Sequence, residues 1–165
     1  MSASQVLKTA RDGQLTIIDG TGSPNTLVVA FEDGDFSFSD DKAERIVMRD
    51  RGAIVGLRKG DDSVPSFSFS VYMREFMDSS AVTIIDVIEG TNGASGWLTT
   101  GVAGFEQTLF NIEMEVEGTA HGDAGDHQLT MTRCFLNWDF AEAKEGNKIT
   151  ITGEVYGTVS RTEAT

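Results

Sequence analysis

The decapeptide PSFSFSVYMR, residues 65–74, alternates apolar and polar side chains without a slip. Phe67, Phe69, Val71 and Met73 share one parity, and Ser66, Ser68, Ser70, Tyr72 and Arg74 share the other. Successive side chains of an extended strand point to opposite faces, so this pattern offers one face to a core and the other to water. The same pattern wound into a helix would scatter its apolar residues around the whole circumference and bury nothing. The stretch therefore predicts a half-buried strand of an antiparallel sheet.

The period of two recurs through most of the chain. In NKITITGEVYGTVS, residues 147–160, Ile149, Ile151, Val155 and Val159 face inward against Lys148, Thr150, Thr152, Glu154 and Tyr156. Gly153 and Gly157 fall on the inner side, where a neighbour is expected to approach closely. Further strands are expected at 14–18, 26–31, 34–39, 44–49, 53–58, 107–117 and 127–138, with EDGD at 32–35 as a hairpin turn. In HQLTMTRCFLNWDF, residues 127–140, the alternation changes phase between Met131 and Cys134. Either a bulge near Arg133 or a strand covered on both faces accounts for that change.

One segment departs from the period. In DSSAVTIIDVIEG, residues 78–90, Ala81, Ile84, Ile85 and Ile88 follow the spacing of a helix face, with Asp78 or Ser79 as the expected cap and Gly90 as the stop. The following GTNGASGWLTTGVAG, residues 90–104, sets five glycines around Trp97 with no period and reads as a surface loop. The sum is a single mainly β domain over residues 1–165, an antiparallel β-sandwich or barrel with one flanking α-helix.

Composition bounds the chemistry. The 165 residues carry a net charge of -13, against a protein that grips nucleic acid through its phosphates. The charge is uneven: Lys42, Arg45, Arg49, Arg51, Arg58 and Lys59 face only Glu44 and Asp50 between 42 and 59, a net +4 that leaves -17 on the remainder. That asymmetry suits head-to-tail contact between copies better than an RNA or DNA patch, since no exposed aromatics interleave the cations. Cys134, the only cysteine, lies among large apolar residues and reads as a buried, inert thiol. The N-terminal MSASQVLKTARDGQ has no signal-peptide core, and clusters such as LVVAF are too short to span a bilayer, so a cytoplasmically made, soluble protein is expected.

Two motifs invite a chemical reading. In NIEMEVEG, residues 111–118, Glu113, Glu115 and Glu117 recur at every second position, about 6 to 7 Å apart on a strand. Such carboxylates repel by only about 0.6 kcal/mol in water but far more in a dry interior, so this face must be wet. A hydrolase using Glu113, Glu115 or Asp123 would need one acid of raised pKa in a cleft, and a plain solvated strand face is the simpler reading. HGDAGDH, residues 121–127, brings His121, Asp123, Asp126 and His127 together as metal candidates, yet its composition is also that of a turn between strands. No phosphate-binding, dinucleotide or nucleophile-elbow signature occurs, and no cofactor is expected.

The order of DRGAIVGLRKGDDSVPSFSFSVYMREF, a helix, FNIEMEVEG, a turn and HQLTMTRCFLNWDFAEAKEGNKITITGEVYGTV resembles the tail tube (major tail) proteins of long-tailed bacteriophages, especially those with non-contractile tails. The likeness spans roughly residues 14–160 and rests on strand, glycine and phenylalanine patterns. It implies a two-sheet sandwich with extended terminal arms, and sixfold rings stacking into a tube whose inner sheets join around an acidic lumen through which DNA slides. It further implies a structural virion protein with no enzymatic activity, located in the phage tail, with itself, a tape measure protein and tail completion proteins as partners. On that resemblance Glu113, Glu115 and Glu117 are candidates for the lumen wall. Lys42, Arg45, Arg49, Arg51, Arg58, Lys59 and Trp97 are candidates for contacts between subunits or rings. The alternative is a calcium- or carbohydrate-binding β-sandwich module, suggested by the Asp/Gly turns and by Trp97 and Trp138.

Overall fold

The structure, a computed structural model, describes residues 13–29, 35–40, 43–72, 81–97, 107–118, 125–142 and 147–163. Among the described residues ten strands and one short α-helix follow in order: β1 (Gly13–Ile18), β2 (Thr26–Val29), β3 (Ser37–Ser39), β4 (Arg45–Asp50), β5 (Ala53–Lys59), β6 (Ser66–Tyr72), α1 (Ile84–Glu89), β7 (Phe110–Val116), β8 (His127–Ala141), β9 (Lys148–Val155) and β10 (Val159–Glu163). The architecture is mainly β and antiparallel with one helix, as the patterning predicts. Its strands divide into one sheet of eight and a separate pair.

The large sheet runs β2-β1-β7-β8-β9-β6-β3, with β10 also on β8. Register shows that β9 and β10 follow one another along the same edge of β8, Val155 opposite Cys134 and Val159 opposite Met131. Between them Tyr156 N–H donates to the Arg133 carbonyl at 3.1 Å, and Thr132 N–H to the Thr158 carbonyl at 3.0 Å, so the ladder continues across the break. The break matches a bulge in β8. Phe110 pairs with Cys134 but Ile112 with Met131, and Arg133 takes φ 55°, its N–H held by Asn111 Oδ1 at 3.2 Å. One extra residue reverses parity, which lets Met131 and Cys134 both reach the core. Of the two explanations the sequence left open, the bulge is the correct one.

The bulge makes β8 the hinge of the sheet. Its first half belongs to an arm with β7, β1, β2 and β10, and its second half to an arm with β9, β6 and β3. Phe36 and Phe38 beside and within β3 line one groove with Met114, Val116 and Leu129 of β7 and β8, so the β3 end curls back over the middle of the sheet. A single core results, in which Leu15, Ile17, Phe67, Phe69, Phe110, Ile112, Met131, Cys134, Ile149 and Ile151 are each at most 3% exposed. Gly153 lies under the Phe67 ring, where a Cβ would overlap Cζ, so the expected close approach is realised. Gly157 meets Thr132 in the same way.

Two expectations are corrected. EDGD does not turn a hairpin between β2 and β3: those strands lie at opposite ends of the sheet, β2 on β1 and β3 on β6. Residues 32–34 themselves lie outside the described residues. A turn signal is local, whereas partners are chosen by which edge buries the apolar face. The helix also starts later than the apolar spacing suggests. Thr83, not Asp78 or Ser79, is the N-cap: its hydroxyl accepts from Asp86 N–H while Asp86 Oδ2 accepts from Thr83 N–H at 3.1 Å, a reciprocal box that stops the helix from growing backward. Residues 78 and 79 lie outside the described residues. Gly90, at φ 65°, ends the helix as expected.

Candidate assembly surfaces

The basic segment folds as a hairpin that pairs with no other strand among the described residues. Arg51 and Gly52 take φ 45° and 88°, the two positive values of a type I′ turn, and connect Asp50 directly to Ala53. Val55 is the extra residue of a bulge, since Met48 pairs with Gly56 and Arg49 with Ile54. Both faces of the hairpin are open. Ile46, Val47, Met48, Ile54, Val55 and Leu57 keep from 43% to 65% of their surface exposed, interleaved with Arg45, Arg49, Arg51, Arg58 and Lys59. Lys59 pairs with Asp62, and Arg49 reaches the Gly52 carbonyl at 3.4 Å, both in solvent where such contacts add little. At the base, Arg45, Arg58, Asp40, Glu44 and Gly157 line a 780 Å³ cleft between hairpin and sheet. Lys42 lies outside the described residues.

A two-stranded hairpin is marginal on its own, and natural sheets rarely leave such a strand pair bare. The runs IVM at 46–48 and IV at 54–55 carried that information in the sequence, because consecutive apolar residues on a strand call for cover on both faces. What the sequence did not show is that the chain leaves both faces exposed.

The glutamate row is only partly a row. Glu113 and Glu115 stand on the outer face of β7, opposite Thr16 and Thr130 and opposite Gln14 and Gln128 respectively. Gln128 Nε2 donates to Glu113 Oε2 at 3.2 Å. Glu117 lies one residue past the strand and half-buried. Trp97 follows a 3-10 turn at Asn92–Ala94 and packs edge-on against Phe110, with centroids 6.2 Å apart, so its ring is turned toward the core. Trp138 Nε1 donates to Glu89 Oε1 at 3.2 Å. Neither indole presents the flat free platform on which a sugar ring stacks.

The groups with displaced titration are structural. Burial by itself would raise the Asp19 carboxyl, yet donors from Asn25 and Thr21 outweigh it and hold the acid down at about 2. Asp86 is likewise lowered: burial opposes, and Asn92, Thr83 and Thr91 prevail. Both carboxylates accept three or more hydrogen bonds from residues within six positions along the chain, Asp19 in the β1–β2 connection and Asp86 in the first turn of α1. Burial pushes the Cys134 thiol up to about 12, removing its nucleophilic form. Of the metal candidates, His121 and Asp123 lie outside the described residues, while Asp126 Oδ1 receives the Gly118 N–H at 3.0 Å across the β7–β8 connection. Among the described residues no group of three or more His, Cys, Asp or Glu side chains could hold a metal.

No family model matches the chain, and no curated protein matches it by sequence. Solved structures do. A chain from the sixfold-symmetrised baseplate of the anti-feeding prophage is 12% identical, with 99% of this chain and 98% of that chain covered at a TM-score of 0.59. A chain from the sheath/tube terminator of an extracellular contractile injection system, in its extended state, is 11% identical over 98% of each chain at 0.58. The SPP1 tail tube is 15% identical over 93% of this chain and 78% of that chain, at 0.53. At these identities the likeness establishes the fold, which is shared with tail-tube and injection-system components.

Proposed function

We propose that the chain is the structural subunit of a tail tube: copies close into rings, taken as hexameric from the resemblance, and the rings stack into a hollow conduit through which a genome leaves. The observation that carries this reading is the β4–β5 hairpin, six bared apolar side chains and five cations on a molecule whose remainder is strongly acidic. Covering those side chains at about 1 kcal/mol each supplies several kcal/mol per contact, and the charge asymmetry orients the docking surface toward the acidic body of another copy. The hairpin is inserted between β3 and β6, at the end of that strand pair where Ser39 faces Ser66, and an adjacent ring would receive its bared side chains.

Absence of an enzymatic role fits the hydrogen-bonded carboxylates of Asp19 and Asp86 and the buried thiol of Cys134. A tape measure protein inside the tube and completion proteins at its end are the partners such a subunit implies, and the virion tail is its location. The experiment is negative-stain electron microscopy with analytical ultracentrifugation of the purified protein across concentration. Rings or hollow tubes are expected; a monomer at every concentration tested overturns the proposal.

A further inference from the structure

The turn that follows α1 carries a chemistry independent of assembly. We propose that Asn92 is a site of spontaneous deamidation, held latent by a clasp to the buried Asp86 carboxylate and released when that clasp opens. Of the five asparagines in the chain, Asn92 alone precedes a glycine. With no side chain on Gly93, its backbone nitrogen can approach the neighbouring side-chain amide closely.

Packing explains why the pair is Asn-Gly. Asn92 takes φ 47°, a left-handed conformation that Gly and Asn enter at small cost and bulkier residues do not. A Cβ on Gly93 would stand 2.8 Å from Val82 Cγ2, and Val82 packs against the core. Backbone conformation therefore selects the first residue and steric contact the second. Each serves the fold, and together they form the reactive pair.

The clasp is the Asp86 carboxylate, on a residue 2% exposed. Its Oδ2 accepts from Thr83 N–H at 3.1 Å and from the Thr83 hydroxyl at 2.7 Å. Its Oδ1 accepts from the Thr91 hydroxyl at 3.3 Å and from Asn92 Nδ2 at 2.6 Å. One carboxylate thus joins the N-cap of α1 to the turn beyond Gly90. The amide that must leave is held by a charged acceptor, and swinging it onto the Gly93 nitrogen breaks that bond. Asn92 and Gly93 are otherwise exposed, and among the described residues the Gly93 N–H donates to no backbone carbonyl.

Once the clasp opens, the Gly93 nitrogen attacks Asn92 Cγ, the Cγ–Nδ2 bond breaks, and ammonia leaves with the proton of the attacking N–H as a succinimide closes. Water then opens the ring, giving aspartate by attack at Cγ or isoaspartate by attack at the main-chain carbonyl carbon. One water is consumed, one ammonia is released, and the new carboxyl ionises at neutral pH. Either product takes a donor from Asp86 and sets a second carboxylate beside it, where burial magnifies the repulsion. Trp97 N–H donates to the Ala94 carbonyl at 3.0 Å and Trp138 to Glu89 of α1, so loosening this node reaches both indoles.

The test incubates the full chain at neutral pH, folded and in denaturing urea, with acidic isoforms resolved by ion exchange and located by peptide mapping. In urea, product should accumulate at Asn92 ahead of the other four asparagines. In the folded chain the rate should fall roughly tenfold or more, limited by local opening of the clasp. Asp86→Asn should bring the folded rate close to the unfolded one. Because that change also weakens the helix cap, the parent is followed in parallel at urea concentrations below its unfolding transition, where the rate should already rise. Asn92→Gly keeps the left-handed backbone and should yield no such isoform, whereas Asn92→Asp should lower the urea midpoint and shift tryptophan emission. Equal rates in the folded and unfolded chain, a rate unmoved by mild urea, modification centred on another asparagine, or an Asn92→Asp protein indistinguishable from the parent would each overturn the proposal.

Discussion

At Asp19 burial and hydrogen bonding compete over a single carboxyl, and hydrogen bonding wins. It is 2% exposed, yet its acid is strengthened, because Thr21 and Asn25 surround it with donors that favour the charged form. A carboxylate whose folded pKa lies below its unfolded value stabilises the fold at pH above the unfolded pKa, and that contribution is lost as pH falls through about 2. Asp19→Asn should cost about 2 kcal/mol at neutral pH and flatten the acid limb of the stability profile between roughly pH 4 and 2, read by urea unfolding of the monomer at each pH. Gly153 is the complementary case, a residue defined by what it lacks. Gly153→Ala should destabilise by about 1 to 3 kcal/mol through overlap with Phe67, and Phe67→Leu should relieve part of that cost in a double-mutant cycle. Sequence reasoning could place Gly153 on the inner parity; that the neighbour is Phe67 follows from the β6–β9 register alone.

Among the elements, the hairpin and β8 were legible to different degrees. The phase change in β8 is a violation of period two that can be read residue by residue, and the bulge at Arg133 is its physical cause. The hairpin strands could be read too, with observed limits of Arg45–Asp50 and Ala53–Lys59 against expected 44–49 and 53–58. Their isolation could not, because a strand's own pattern does not say whether its cover comes from the same chain. Ile54→Lys with Leu57→Ser should therefore leave monomer stability within about 0.5 kcal/mol of the parent, as surface changes do, while abolishing tube formation in sedimentation assays. Loss of monomer stability by several kcal/mol would mean that the hairpin packs within its own subunit.

For the whole molecule, charge and topology set the expected behaviour. The net +4 between 42 and 59 and -17 elsewhere should make assembly salt-sensitive: raising ionic strength from about 0.05 to 0.5 M shortens the Debye length to a few ångströms and should raise the critical concentration for assembly, measured by light scattering.

The fold class, nearly every strand, the helix stop at Gly90, the phase change in β8 and the charge asymmetry were set by the sequence, since each is written in spacing between neighbours along the chain, whereas the choice of a bulge as the cause of that phase change came from the β7–β8 register. Only the tertiary structure decided that β2 and β3 part to opposite ends of the sheet, that the helix starts at Thr83, that Trp97 turns inward, and that Ser37, Ser68, Thr152 and Asn137 form one row. Those are choices among partners distant in the chain, and they are settled by the burial of one shared core, for which no local pattern carries a record.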